Sequence, residues 1–259
     1  MRLTRIGGPT ILVELAGWRI LIDPTFDPPG RRYAFALGTS STKTKGPFVP
    51  APDVGPIDAI LLSHDHHADN LDDAGRALLP GATYVVTTKS GARRLGMASV
   101  RGLMVDESIL LEGEGKEPIR VLATPGRHGP PLSRAIVGDV IGFTLRRRHR
   151  PHPDLWITGD TVLTRKLLRV ARGIAVDVAI VNAGGVGFPA TGPLRYTMTG
   201  RDVVRFIEAL QPMVAVPAHY DGWSHFRDGE DGLRRALDTA PPGVRERVRW
   251  LPDGVAVEL

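Results

Sequence analysis

The stretch LLSHDHHADN, residues 61–70, sets His64, His66 and His67 and the aspartates Asp65 and Asp69 directly behind a short apolar run. Imidazole and carboxylate at that density serve metal binding or acid–base chemistry, whereas a solvated loop uses Ser, Gly or Lys. His64 and His66, two positions apart, reach one ion only from an irregular or extended backbone, because a helix needs a spacing of four. Three further apolar runs end in the same kind of side chain: VLATPGR in His128, LWITG in Asp160, and VAVPA in His219. Any one histidine at a strand end is usually an ordinary satisfied residue. The constellation carries the argument, since five of the eight histidines lie at these positions or beside them. The chain has no cysteine, so a metal would be held by His, Asp or Glu.

These side chains need rigid elements to bring them together. TILVEL (10–15) and RILIDP (19–24) read as a β-hairpin, IDAILLSH (57–64) as a buried strand, and NLDDAGRALLP (70–80) as a short helix stopped by Pro80. Strand-like SILLEGE, IRVLATP and AIVGDVIGFTLR fill the middle. From 154 onward strands alternate with helices: DLWITGD, VLTRKLLRVAR, DVAIVNAGG, TGRDVVRFIEAL with Thr199 as N-cap, and MVAVPAH. A helix near 230–240 and two strands, VRWLP and GVAVEL, close the chain. Residues 27–56, rich in Pro and Gly, read as an irregular lid-like insertion. No linker divides the chain, so 1–259 reads as one α/β domain, and the echo of AILLSHD in VAVPAHYD suggests two β-rich halves packed sheet on sheet.

At 259 residues, 42% hydrophobic and 24% charged, the chain has the composition of a soluble globular protein with a full core. No apolar run is long enough for a bilayer and the N-terminus lacks a signal-peptide core, so the expected address is the cytoplasm. The net charge of +5 comes from scattered arginines. The densest cluster, RRRHR (146–150), reads as a solvated hairpin tip, so nucleic acid is not an expected partner.

The ordered set LIDP, SHDHHAD, TPGRH, TGDT and PAHYDG resembles the metallo-β-lactamase superfamily along almost the whole chain. More narrowly it is similar to the branch of ascorbate-6-phosphate lactonase-like and N-acylphosphatidylethanolamine phospholipase D-like proteins. The resemblance implies a four-layer αββα sandwich with metal ligands along one edge. It implies His64, His66 and His128 at a first metal, Asp160 as a bridge, Asp69 and His219 at a second metal, and Asp23 orienting a metal-bound histidine. Position 68 is Ala where the family has Asp, so Asp69 fits only across a one-residue insertion. Asn70 stands where the family has a second-metal histidine, with His67 as a substitute.

The implied cofactor is one or two divalent ions, zinc foremost, with manganese or iron as alternatives. Such ions lower the pKa of a bound water towards about 7 and stabilise the oxyanion that follows its attack. The expected activity is hydrolysis of an ester, lactone or phosphodiester in a small anionic substrate. Asp69, Asp160 and His225 are the expected catalytic residues. Lys43, Lys45, Arg31 and Arg32 are candidates for meeting the anion, and Phe35, Phe48 and Trp223 for an apolar wall. A metal-dependent nuclease and a metal-binding protein without catalysis are the alternatives, and a homo-oligomer is compatible with either.

Overall fold

A computed structural model describes residues 1–35 and 38–259. Strands β1 (Arg2–Gly7), β2 (Thr10–Leu15) and β3 (Trp18–Ile22) form an antiparallel meander. The insertion contributes a small hairpin of its own, β4 (Arg32–Ala34) and β5 (Ser40–Thr42). Strands β6 (Ala59–Leu61), β7 (Tyr84–Thr88) and β8 (Val100–Leu103) then extend the first sheet in parallel from β3.

The second sheet begins with β9 (Ser108–Leu111), β10 (Ile119–Pro125), β11 (Ile141–Arg147) and β12 (Leu155–Ile157), each antiparallel to the last. Strands β13 (Val178–Asn182) and β14 (Val214–Ala218) run parallel to β12. A last strand, β15 (Ala256–Glu258), returns to pair with β1.

Alternation along the strands builds the layers. Ile11, Val13, Ile20, Ile22 and Leu61 of the first sheet meet Val121, Phe143, Leu145, Ile157, Ile180 and Val216 of the second, all at most 1% exposed. The intervening residues point outward. Leu12, Leu21, Ile60 and Val85 pack under α1 (Asp73–Arg76) and α2 (Lys89–Leu95). Trp156, Ala179, Val181 and Ala215 pack under α4 (Arg165–Arg172), α5 (Gly200–Leu210) and α6 (Gly229–Asp238), followed by α7 (Pro242–Arg245). The order helix, sheet, sheet, helix is the expected αββα sandwich. No helix among the described residues is long and apolar enough to cross a membrane.

Helix α5 shows how local sequence sets these elements. Thr199 and Asp202 close a capping box, and Val203, Phe206, Ile207 and Leu210 bury one stripe on the sheet. Such a cap is worth about 1 kcal/mol, and burial of the stripe supplies most of the rest. Elsewhere tertiary context prevails over pattern. The expected helix over 70–80 shrinks to α1, because the Asp72 side chain caps it late and Pro80 sits in a separate 3-10 turn. Residues 135–137, expected within a strand, belong instead to one helical turn, α3 (Arg134–Val137). The expected strand VRWLP makes only an isolated bridge to Ala215 through Val248. Strand β1 escapes the reading because Arg2 and Arg5 break its apolar alternation, yet Arg5 is buried against Asp221 and Asp253.

The insertion is tied down by the very cations expected to meet substrate. Lys43, buried, places Nζ 2.8 Å from an Asp72 oxygen, and Asp72 also accepts N–H bonds from Phe26, Asp27 and Gly75. Lys45 pairs with Asp221 at 2.8 Å, Arg31 with Asp73 and Asp27, and Arg32 bonds Ser40. Residues 36 and 37 of the insertion lie outside the described residues. Breaking a buried pair leaves an uncompensated charge, whereas an exposed one contributes little. Lys43→Met should therefore lower unfolding stability in urea by about 3 kcal/mol, and Lys45→Met by less than about 1 kcal/mol. Equal losses for the two variants would contradict this account of the lid.

Candidate metal centre

The parallel strands end at one edge of the sandwich, and their carboxyl ends carry the chemistry. Asp23 follows β3, His64 and His67 lie in the loop after β6, and Asp160 in the loop after β12. Asn182 closes β13 and His219 follows β14 directly. His128 joins them from the loop after β10. His219 has φ of 51°, a left-handed turn that costs a non-glycine residue and aims the ring away from the strand direction.

Two groups of ligand-type atoms form there, one of His64, His67 and His128, the other of Asp69, Asp160 and His219. In the first, His67 Nδ1 lies 3.1 Å from His64 Nε2 and 3.0 Å from His128 Nε2. Two nitrogens on a tetrahedral zinc at its usual bond length stand roughly 3.3 Å apart, so the spacing matches a shared ion. His128 Nδ1 donates to the Tyr196 carbonyl at 2.9 Å, which leaves Nε2 as a bare lone pair facing the other rings. Burial, then the proximity of His128, pushes His67 down to about 3, and the same causes hold His64 well below the usual histidine value. Neutral rings with converging lone pairs repel one another unless a cation or a shared proton sits between them.

In the second group His219 Nδ1 donates to Asp160 Oδ1 at 2.7 Å, and Asn182 Nδ2 donates to the same oxygen at 2.9 Å. His219 Nε2 is 3.7 Å from Asp69 Oδ2, and His225 Nε2 is 3.1 Å from it without the alignment of a hydrogen bond. Burial alone would raise Asp69, but the close His225 contact and nearby His219 hold it well below the carboxylate range. Asp160 is likewise depressed, burial being outweighed by His219. His219 rises to about 9 despite burial, through the charge of Asp160 and the bond to it.

Nine buried side-chain atoms lack a hydrogen-bond partner among the described residues, and six belong to Asp69, Asn70, Asp160, His219 and His225. An orphaned buried polar atom costs about 1–3 kcal/mol, so natural structures rarely concentrate them. Asp69, Asp160 and His219 each carry one such atom and offer ligand atoms within 4.8 Å of one another, an arrangement that a divalent cation would complete. The donor set fits a metal.

His66 is not among these residues. Its ring, half-buried, lies on Gly138, beside Asp65 at 3.6 Å and Arg94 at 3.2 Å, and Asp65 is bonded to Arg94. A Cβ on Gly138, whose φ is +79°, would come within 2.1 Å of the ring, so only glycine accommodates it. The extra residue of the loop therefore falls between His64 and His67, and His67 occupies the position expected of His66. The same offset brings Asp69 into the centre. Asn70 turns its amide nitrogen to Asp23 at 3.2 Å and to Ser63 at 3.3 Å. Asp23 holds the loop through Ser63 N–H and Asn70 instead of a histidine ring, and burial raises it to about 7.

Aromatic rings close the centre. Phe35 from the insertion packs 5.2 Å from His67 and 5.8 Å from His225, with Phe188 and Tyr196 completing the wall. Trp223 lies behind His225, while Phe48 stacks on Arg5 away from the centre. Asp221 is committed to Arg5 and Lys45. Asn182, Phe188 and Tyr196 were not singled out by sequence. Asn182 had a signal, a polar residue ending the apolar run DVAIV, whereas the Tyr196 carbonyl had none. A wider cavity of about 680 Å³ lies at the opposite end of the strands, where Glu14 and Asp154 are already paired with arginines.

Comparison with known proteins agrees with this arrangement. Residues 18–220 match the family model described as a beta-lactamase superfamily domain. The chain belongs to the beta-lactamase superfamily. Among superfamily relatives, a UPF0173 metal-dependent hydrolase of Caldivirga maquilingensis is 27% identical, over 93% of this chain and 91% of its own. One from Carboxydothermus hydrogenoformans is 26% identical over 94% and 98%. Among solved structures, an isothiocyanate hydrolase from Delia radicum gut bacteria has a TM-score of 0.80 at 22% identity, covering 100% of this chain and 99% of that one.

The geometry separates two adjacent histidines. His67→Ala should lower the zinc retained after dialysis against weak chelator by about 10-fold or more, as for loss of a metal partner. His66→Ala should leave retained zinc at the wild-type level. Elemental analysis of the two variants reads this directly, and the reverse pattern would reassign the ligand.

Proposed function

We propose that this protein is a metal-dependent hydrolase in which His64, His67 and His128 hold one divalent ion and Asp69, Asp160 and His219 a second. Zinc is the ion that best suits so nitrogen-rich and thiol-free a set. The observation that carries the reading is the gathering of unpartnered buried atoms from Asp69, Asp160 and His219 beside three converging imidazole nitrogens. Bound ions would supply Lewis acidity and lower the pKa of a water to near neutrality.

The chain's own groups do the remainder. Asn182 and His219 together fix Asp160 Oδ1, which leaves Oδ2 free for the centre and keeps the carboxylate from rotating. His225, buried and in contact with Asp69, is placed to pass a proton between Asp69 and the leaving group of a substrate. Phe35, Phe188 and Tyr196 exclude bulk water, which strengthens every electrostatic contact within.

The narrower resemblance to lactonase-like and phospholipase D-like proteins favours an ester, lactone or phosphodiester bond. A nuclease is disfavoured by position: the basic turn at 146–150 stands at the far end of β11, with Arg147 and Arg150 paired to Asp154 and Asp177.

A panel of 4-nitrophenyl esters, lactones and bis(4-nitrophenyl) phosphate tests the reading. Turnover of at least one class should vanish with chelator and return with zinc. Asp160→Ala should abolish that turnover and most bound metal, whereas His225→Gln should keep the metal and lower kcat about 100-fold. Chelator-resistant turnover, or full activity in Asp160→Ala, would refute the proposal.

A further inference from the structure

A groove of about 410 Å³ leads outward from the centre between the insertion at Gly38–Ser40 and the loop at Gly187–Ala190. It shares Thr39 and Phe188 with the aromatic chamber over His67 and Asp69, so the two spaces adjoin. His225 lines the groove at its inner end. It is 4% exposed, and neither ring nitrogen has a hydrogen-bond partner. Arg227, two residues on, is the one charged side chain among the groove's lining residues apart from that imidazole.

The surroundings of Arg227 are unusual for a surface arginine. A Cβ on Gly187 would meet Arg227 Cγ and Arg195 Nη1, each at 3.2 Å, so the stem of one arginine and the head of the other lie over the same glycine. Arg195 bonds only the carbonyls of Pro193 and Leu194, and no carboxylate among the described residues pairs with either arginine. Unpaired arginines are common on this surface, Arg148 among them. What distinguishes this pair is its place, Arg227 lining the groove that also holds His225 and Arg195 reaching the Gly187 of its wall. The insertion's cations Arg31, Lys43 and Lys45 are neutralised by carboxylates of the chain itself. Arg32, bonded to Ser40 at the rim, Arg195 and Arg227 remain without a carboxylate partner among the described residues, and of these Arg227 alone lines the groove.

We propose that Arg227, supported by Arg195, is the specificity-determining contact for an anionic group on the substrate. The substrate class is then an ester-like compound with a short apolar body against Phe35 and Phe188 and a carboxylate or phosphate at its distal end. A guanidinium binds either anion in a planar two-point contact. The inference rests on the hydrolase reading for the identity of the reacting bond, but the anion contact itself does not need turnover.

Two probe pairs separate these claims. Binding is measured by calorimetry on zinc-loaded protein with glutaric acid mono(4-nitroanilide) and its neutral counterpart, 4-nitrobutyranilide, whose amides resist hydrolysis. The wild type should bind the anionic member about 10-fold more tightly, the scale of one charge-assisted contact. Arg227→Gln should bring the two affinities together, Arg227→Lys should keep part of the difference, and Arg195→Gln should narrow it less than Arg227→Gln. Equal affinities in the wild type, no binding of either probe, or a preference that survives Arg227→Gln would overturn the anion contact. Turnover is measured with mono(4-nitrophenyl) glutarate and 4-nitrophenyl butyrate. An anionic preference in binding without turnover of either ester would leave the anion contact standing and count against ester hydrolysis alone. Turnover of both esters with equal kcat/KM would do the opposite.

Discussion

Two carboxylates, Asp69 and Asp160, are buried within reach of one another, and the rest of the site is arranged around that fact. Each would carry a desolvation penalty of several kcal/mol if left uncompensated. The chain answers with a histidine on each, His225 beside Asp69 and His219 on Asp160, and with the Asn182 amide. Even so, one oxygen of each carboxylate and the far nitrogen of His219 have no partner. A divalent ion would satisfy all three together, and the converging ring nitrogens of His64, His67 and His128 alongside are suited to hold another.

Such an arrangement needs a frame that does not yield. Its candidate ligands sit at or just beyond the ends of buried strands from both sheets, each strand locked by the apolar core between them. A loop alone could not hold six side chains to ligand distances, because the ordering entropy of every added residue opposes it. The insertion completes the frame from outside. Lys43 on Asp72 and Lys45 on Asp221 anchor it to α1 and to the loop after β14. That anchoring sets Phe35 over His67 and His225 and makes the insertion a wall as much as a cover.

Much of this was legible in the residues, and the exceptions have physical causes. Apolar runs ending in His64, His128, Asp160 and His219 announced strand ends converging on one edge, and Thr199 announced the start of α5. The choice between His66 and His67 could not be read from spacing. It is decided by where the extra residue of the loop falls, which depends on Gly138 making room for the His66 ring and on the Asp65–Arg94 pair fixing the turn. The insertion's lysines looked like substrate contacts because their acidic partners, Asp72 and Asp221, come from distant parts of the chain. Arg227 had no signal in the sequence, because only the fold brings it into the groove that His225 lines.

Crystals of the zinc-loaded protein, measured on both sides of the zinc absorption edge, test the central claim most directly. The account predicts two anomalous peaks, one bonded to His64 Nε2, His67 Nδ1 and His128 Nε2, the other to Asp69, Asp160 and His219 Nε2. A peak bonded to His66, or zinc-soaked crystals with no peak at either group of ligands, would contradict it.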